Sequence, residues 1–249
     1  MGKTIKTEKK YGIIKPKFPR RELLVVPHKG KDLTVSFPVF GPNTDYENMK
    51  EMGKTYSHPI NGKQITFRPA TTSESISAID YNHENWGRWV FSKGSLQVGY
   101  IVKTQDGIFT NTIERDESKL KQLLNNAKKT NKIYFLDDEI AFAPYDSFET
   151  KVQDQYIDAF VCGGLARALE HTVRGVASSL KRIVSLNKHE KTISVYGFDR
   201  VEEPILKIVG LDSTRSGVFD VFSINSDGYD DCCAFGVLDE SAKNTGPEK

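Results

Sequence analysis

The chain has 249 residues, 38% of them hydrophobic and 27% charged, with a formal net charge of +2. These figures exclude a disordered or fibrous polypeptide, and so small a net charge demands no polyanionic partner, which leaves the placement of charge to carry the information. Three cysteines, two of them adjacent (Cys232 and Cys233) and none in a C-x-x-C pair, suggest neither a disulfide framework nor a zinc site.

Residues 1–21 are basic, poor in large aliphatics and interrupted by Pro16 and Pro19, as expected of a flexible arm. The fold is expected to begin at Glu22, with strands over 23–26 and 33–40 joined by the turn-rich Pro27-His28-Lys29-Gly30. A polar stretch follows, and Asn61-Gly62 marks a hairpin turn into a strand over 64–68. Thr71 with Glu74 is a capping-box pattern that starts a helix over 72–84. Two further hairpins are expected, around Gln105-Asp106-Gly107 and Asp137-Asp138, with a surface helix over 116–129 between them.

Residues 147–186 contain no proline and read as one long central helix, started by Asp146 and Glu149 and free to kink at Gly163-Gly164. Its apolar face turns by roughly 130° at the glycine pair, so each half is expected to serve a different packing surface. Beyond it, strand-like runs over 192–198, 205–209, 218–224 and 233–238 read as a four-strand antiparallel meander, and 241–249 as a polar tail. The class is α+β: mostly antiparallel sheets on a long helix, with 22–240 forming one domain or two lobes joined by that helix.

Motifs for local chemistry are weak. Gly53-Lys54-Thr55 lacks the first glycine of a phosphate-binding loop, and Ser226–Asp231 lacks the first and last acids of a calcium loop. Asp137, Asp138 and Glu139 read as solvated charge, Glu117-Ser118-Lys119 falls on a surface helix rather than a nuclease strand, and no G-x-S-x-G elbow occurs. Cys162 reads as a core thiol. No metal site and no cofactor are expected.

Two surfaces stand out. On a helical projection Arg167, His171, Arg174, Lys181 and Arg182 share one arc, a cationic stripe that could track phosphates or meet the acidic C-terminal strands. Trp86, Arg88 and Trp89 form an aromatic cluster suited to a core, a partner or a ligand. The functional readings, in order, are a non-enzymatic binding or assembly module that engages a protein partner or a second copy of itself, a nucleic-acid-associated protein using the basic arm and helix stripe, and an enzyme with a site of dispersed acids and histidines. No run reaches the ~18 apolar residues of a membrane span and no signal-peptide core is present, so a soluble cytoplasmic protein without membrane contact is expected.

Overall fold

A computed structural model of the chain describes residues 22–37, 66–86, 95–150, 154–173, 175–185, 192–213, 219–225 and 233–238. The basic arm, the Asn61-Gly62 turn, the 226–231 loop and the polar tail lie outside them.

The first sheet has four strands in the order β1 (Glu22–His28), β2 (Lys31–Phe37), β14 (Gly236–Leu238), β3 (Phe67–Pro69). β1 and β2 form the expected hairpin, with His28 opposite Lys31 across Lys29-Gly30. Both prolines of this sheet, Pro27 and Pro69, sit on its edge strands, where a missing N–H breaks no inner ladder. Leu24, Val26 and Val35 point into the core.

The second sheet runs β6 (Lys128–Thr130), β7 (Ile133–Phe135), β8 (Ala141–Pro144), β5 (Gly107–Thr110), β4 (Leu96–Lys103), β11 (Ile205–Ser213), β12 (Phe219–Asn225), β10 (Thr192–Tyr196), β9 (Gln155–Tyr156), and β13 (Cys233–Ala234) adds to β4. Every residue of β4 is buried, because the strand lies mid-sheet with both faces covered. A bulge opposite Val209 and Gly210 shifts its register, and parity flips with it: Leu96, Val98 and Ile101 share the main core while Val102 joins Phe109, Leu120 and Phe142 on the other face.

Helix α1 (Thr72–Trp86) packs on β1, β4 and α5 (Ser178–Val184), with Ile76, Ala78 and Ile79 inward. Its capping box forms as expected: Thr71 Oγ1 accepts from the Glu74 amide at 3.3 Å and Glu74 Oε2 accepts from the Thr71 amide at 2.9 Å. α2 (Glu117–Asn125) covers the opposite face of the second sheet through Leu120. It ends earlier than its polar periodicity suggests, because residues 128–130 pair with β7 instead.

Two expectations fail. The long helix over 147–186 does not form. In its place come a 3-10 turn (Tyr145–Ser147), β9, the short helices α3 (Ile157–Cys162) and α4 (Gly164–Leu169), a loop, and α5. Gly163, at ψ 161°, takes extended backbone between α3 and α4. His171 (φ 52°) and Gly175 (φ 69°) take left-handed backbone before α5. A continuous apolar pattern survives because α3 and α5 each bury one side and α4 is buried all round, yet Cys162 ends up exposed rather than in the core. The C-terminal meander is also incomplete. β11 and β12 form a hairpin, but β10 lies parallel to β12, and the last run splits, β13 joining β4 and β14 crossing to the first sheet. Among the described residues no helix is long and apolar enough to cross a membrane.

Candidate active-site cleft

Where α1 begins, three turns converge on it. The first is Lys29-Gly30, both left-handed (φ 47° and 78°), the geometry of a tight hairpin turn that ordinarily selects Asn-Gly. The second is the end of α4, where His171 N–H donates to the Ala168 carbonyl (3.1 Å) and Thr172 N–H to the Arg167 carbonyl (2.8 Å), a Schellman cap with His171 at the position glycine usually takes. The third is the β7–β8 connection, which Asn111 ties down. Asn111, itself left-handed at φ 57°, accepts from the Thr72 amide through Oδ1 (2.8 Å) and donates from Nδ2 to the Glu139 carbonyl (2.7 Å). Of the non-glycine residues with left-handed backbone, Lys29, Asn111 and His171 thus gather at one place, Lys29 and His171 each costing about 1–2 kcal/mol that surrounding structure must offset and Asn111 less.

Between these turns lie two adjoining cavities, of 340 and 550 Å³, that share His28, Lys29 and His171. The carboxylates of their inner walls are already engaged. Glu74 takes a bidentate pair from Arg68 (2.6 and 2.8 Å), Asp80 a bidentate pair from Arg182, and Glu170 accepts from the amides of Ser179 (3.3 Å) and Leu180 (3.0 Å), capping α5 from a distance. Asp138 and Glu139 stand exposed at the rim of the larger cavity.

What remains are bases and hydroxyls. His28 Nδ1 lies 2.9 Å from Ser77 Oγ, and Lys29 Nζ donates to Ser73 Oγ and to the Asp138 carbonyl, both at 3.3 Å. Ser73 and Ser77 are one helical turn apart, so both face the hairpin. Burial, seconded by the neighbouring Lys29 ammonium, pulls His28 down from 6.5 to about 4. The same two causes lower His171, while burial lowers Lys29 against the upward pull of Glu74 and the rim acids. Burial alone would raise Glu74, but its Arg68 pair and the Thr71 amide hold it below the usual carboxylate value. His171 is nine-tenths buried, stacks edge-on against Phe135 at 4.9 Å, and its Nε2 has no partner among the described residues.

The cationic arc inferred from the sequence is dispersed over separate segments. Arg167 is buried and bonds the Asn131 and Val173 carbonyls (3.4 and 3.2 Å), Lys181 pairs with Asp158 at 2.7 Å, Arg182 pairs with Asp80, and His171 lines the cleft. Arg174, Arg88, Trp89 and the side chain of Trp86 lie outside the described residues. Asp137 uses its carboxylate to accept from the amides of Glu139 (2.7 Å) and Ile140 (2.6 Å), shaping a turn. Among the described residues no three His, Cys, Asp or Glu side chains assemble to hold a metal ion.

Sequence reasoning missed His28, Lys29, Ser73 and Ser77. The available signals were a lysine where a hairpin turn prefers asparagine, and two serines four apart on the face of a well-capped helix. Comparison with family models, with curated proteins and with solved structures found no match to this chain.

Proposed function

We propose that the chain is an enzyme that transfers protons to and from a small polar substrate in this cleft. The observation that carries the reading is the convergence of His28, Lys29 and His171, from two turns far apart in sequence, on cavities large enough for a small molecule. Each of the three has its protonated form disfavoured by burial. A histidine held down near 4 is an unprotonated imidazole at neutral pH, so its ring can accept a proton, as a weaker base than an ordinary surface histidine. The inner carboxylates, each neutralised by a guanidinium or by helix amides, fix the walls and leave the bases to do the chemistry.

This moves forward the dispersed-site enzyme that sequence ranked third. Support for nucleic-acid binding by the helix face weakens once Arg167 is buried and Lys181 and Arg182 are paired. The assembly reading gains no patch among the described residues, since the exposed large apolar chains Ile113, Leu123, Tyr156 and Ile205 come from four separate segments. A panel of chromogenic carboxylic esters, phosphate esters and glycosides at pH 7–8 tests the proposal. Turnover is expected in at least one class and should fall by about 10²–10⁴-fold in His28→Gln. Turnover of none, or turnover unchanged in both His28→Gln and Lys29→Asn, overturns it.

A further inference from the structure

We propose that Ser73 is a nucleophile activated by Lys29, and that the chain cleaves a carboxylic ester or activated amide through an acyl ester on Ser73 Oγ. This rests on the preceding reading for the place of reaction and adds its bond chemistry and substrate class.

The first support is geometric. Lys29 Nζ is 3.3 Å from Ser73 Oγ, its other bond goes to a neutral carbonyl, and among the described residues no carboxylate lies within ion-pair distance of it. An amine held that way can lose its proton and take one from the hydroxyl, whereas a salt-bridged lysine could not. Ser73 lines the 550 Å³ cavity and is 1% exposed, so its hydroxyl is shielded from water, and a substrate's acyl carbon reaches it only if the cavity wall opens.

The second support is where an oxyanion would sit. Ser73 is the second residue of a fifteen-residue helix, at its partially positive end. Three amides here already have acceptors: Thr72 N–H gives to Asn111 Oδ1 (2.8 Å), Glu74 N–H to Thr71 Oγ1 (3.3 Å) and Ser75 N–H to the Thr71 carbonyl (2.9 Å). The Ser73 amide has no acceptor among the described residues, which leaves a donor for the developing charge beside the attacking oxygen. The third support is independent of the helix. His171, nine-tenths buried, lines the same cavity, and its Nε2 is a buried polar atom with no hydrogen-bond partner among the described residues, a group left over by the fold itself.

The steps balance. Ser73 Oγ attacks the acyl carbon as its proton passes to the neutral Lys29 amine. The bond to the leaving alkoxide or amine breaks, and the Lys29 ammonium protonates that group. Water then attacks the Ser73 ester and gives a proton to Lys29. The acyl–Oγ bond breaks, Oγ recovers the proton, and a carboxylic acid leaves. Burial favours the reactive amine, opposed by Glu74, Asp138, Glu139 and Glu170.

An alkyl fluorophosphonate, followed by intact-mass and tandem mass spectrometry of the full chain, is the test. One adduct is expected, mapped to Ser73, forming faster as pH rises with a midpoint below 10.5, the ordinary lysine value. Ser73→Ala should abolish it, and Lys29→Asn, whose side chain suits the turn, should slow it about 10²-fold or more. No adduct, an adduct at Ser77 or elsewhere, or an unchanged rate in Lys29→Asn overturns the inference. Mapping on the wild-type chain decides the matter even if Ser73→Ala fails to fold. Turnover that needs His28 without any adduct at Ser73 sinks this inference alone. A Lys29-dependent adduct at Ser73 without turnover of any panel substrate sinks the wider reading and the ester cleavage with it, and leaves only the activated serine standing.

Discussion

Lys29 occupies a backbone position that costs a lysine about 1–2 kcal/mol and would cost an asparagine less. Replacing it with asparagine should therefore raise stability by about 1 kcal/mol, read as a shift in urea midpoint, while removing the amine on which the proposed chemistry depends. His28 supplies a second test at this scale. Its folded value, near 4, lies below the unfolded 6.5, so the unfolded chain binds more protons between those limits. The contribution is fully present above pH 6.5 and is lost as pH falls through about 4. Discounted for the ring's partial exposure, the loss is about 1–2 kcal/mol, and urea titrations between pH 4 and 7 should show a shallower acid limb in His28→Gln. None of this was legible beforehand. A histidine and a lysine in a turn look like solvated punctuation until the fold sets a helix beside them.

At the level of elements, legibility followed locality. The hairpins and the start of α1 depend on residues within a few positions of one another, and Thr71-x-x-Glu74 formed as read, with Arg68 added from outside the motif. Glu74→Ala removes the cap and strands Arg68, and should cost about 2–3 kcal/mol at neutral pH. Because Glu74 is held below its ordinary value, that difference should shrink as pH falls through the acid range, with denaturation midpoints as the readout. The helix over 147–186 failed because periodicity records which side chains are apolar and says nothing of where the backbone must turn. Gly164 shows what the turn accomplishes. A Cβ there would meet the Ser147 side chain, with Cβ–Cβ at 2.5 Å and the Ser147 carbonyl at 3.0 Å, so α4 starts pressed against the 3-10 turn. Gly164→Ala should destabilise by about 1–3 kcal/mol in thermal or urea melts, whereas alanine in a free helix would help.

For the whole molecule, the cleft depends on two sheets keeping station, and the segment that joins them is short. β13 extends the second sheet along β4, and two residues later β14 lies between β2 and β3 in the first. Cys233 N–H donates to the Ser95 carbonyl at 3.2 Å, Ala70 N–H to the Phe235 carbonyl at 3.1 Å and Gly236 N–H to Ser36 Oγ at 3.2 Å. Phe235 and Val237 are buried in the core. These pairings span up to 200 residues of sequence, so the hairpin that carries His28 and Lys29 lacks its inner neighbour until residues 236–238 have left the ribosome. The cleft should then be among the last regions to mature, and the early strands β1 and β2 should need protection from wrong pairing while they wait.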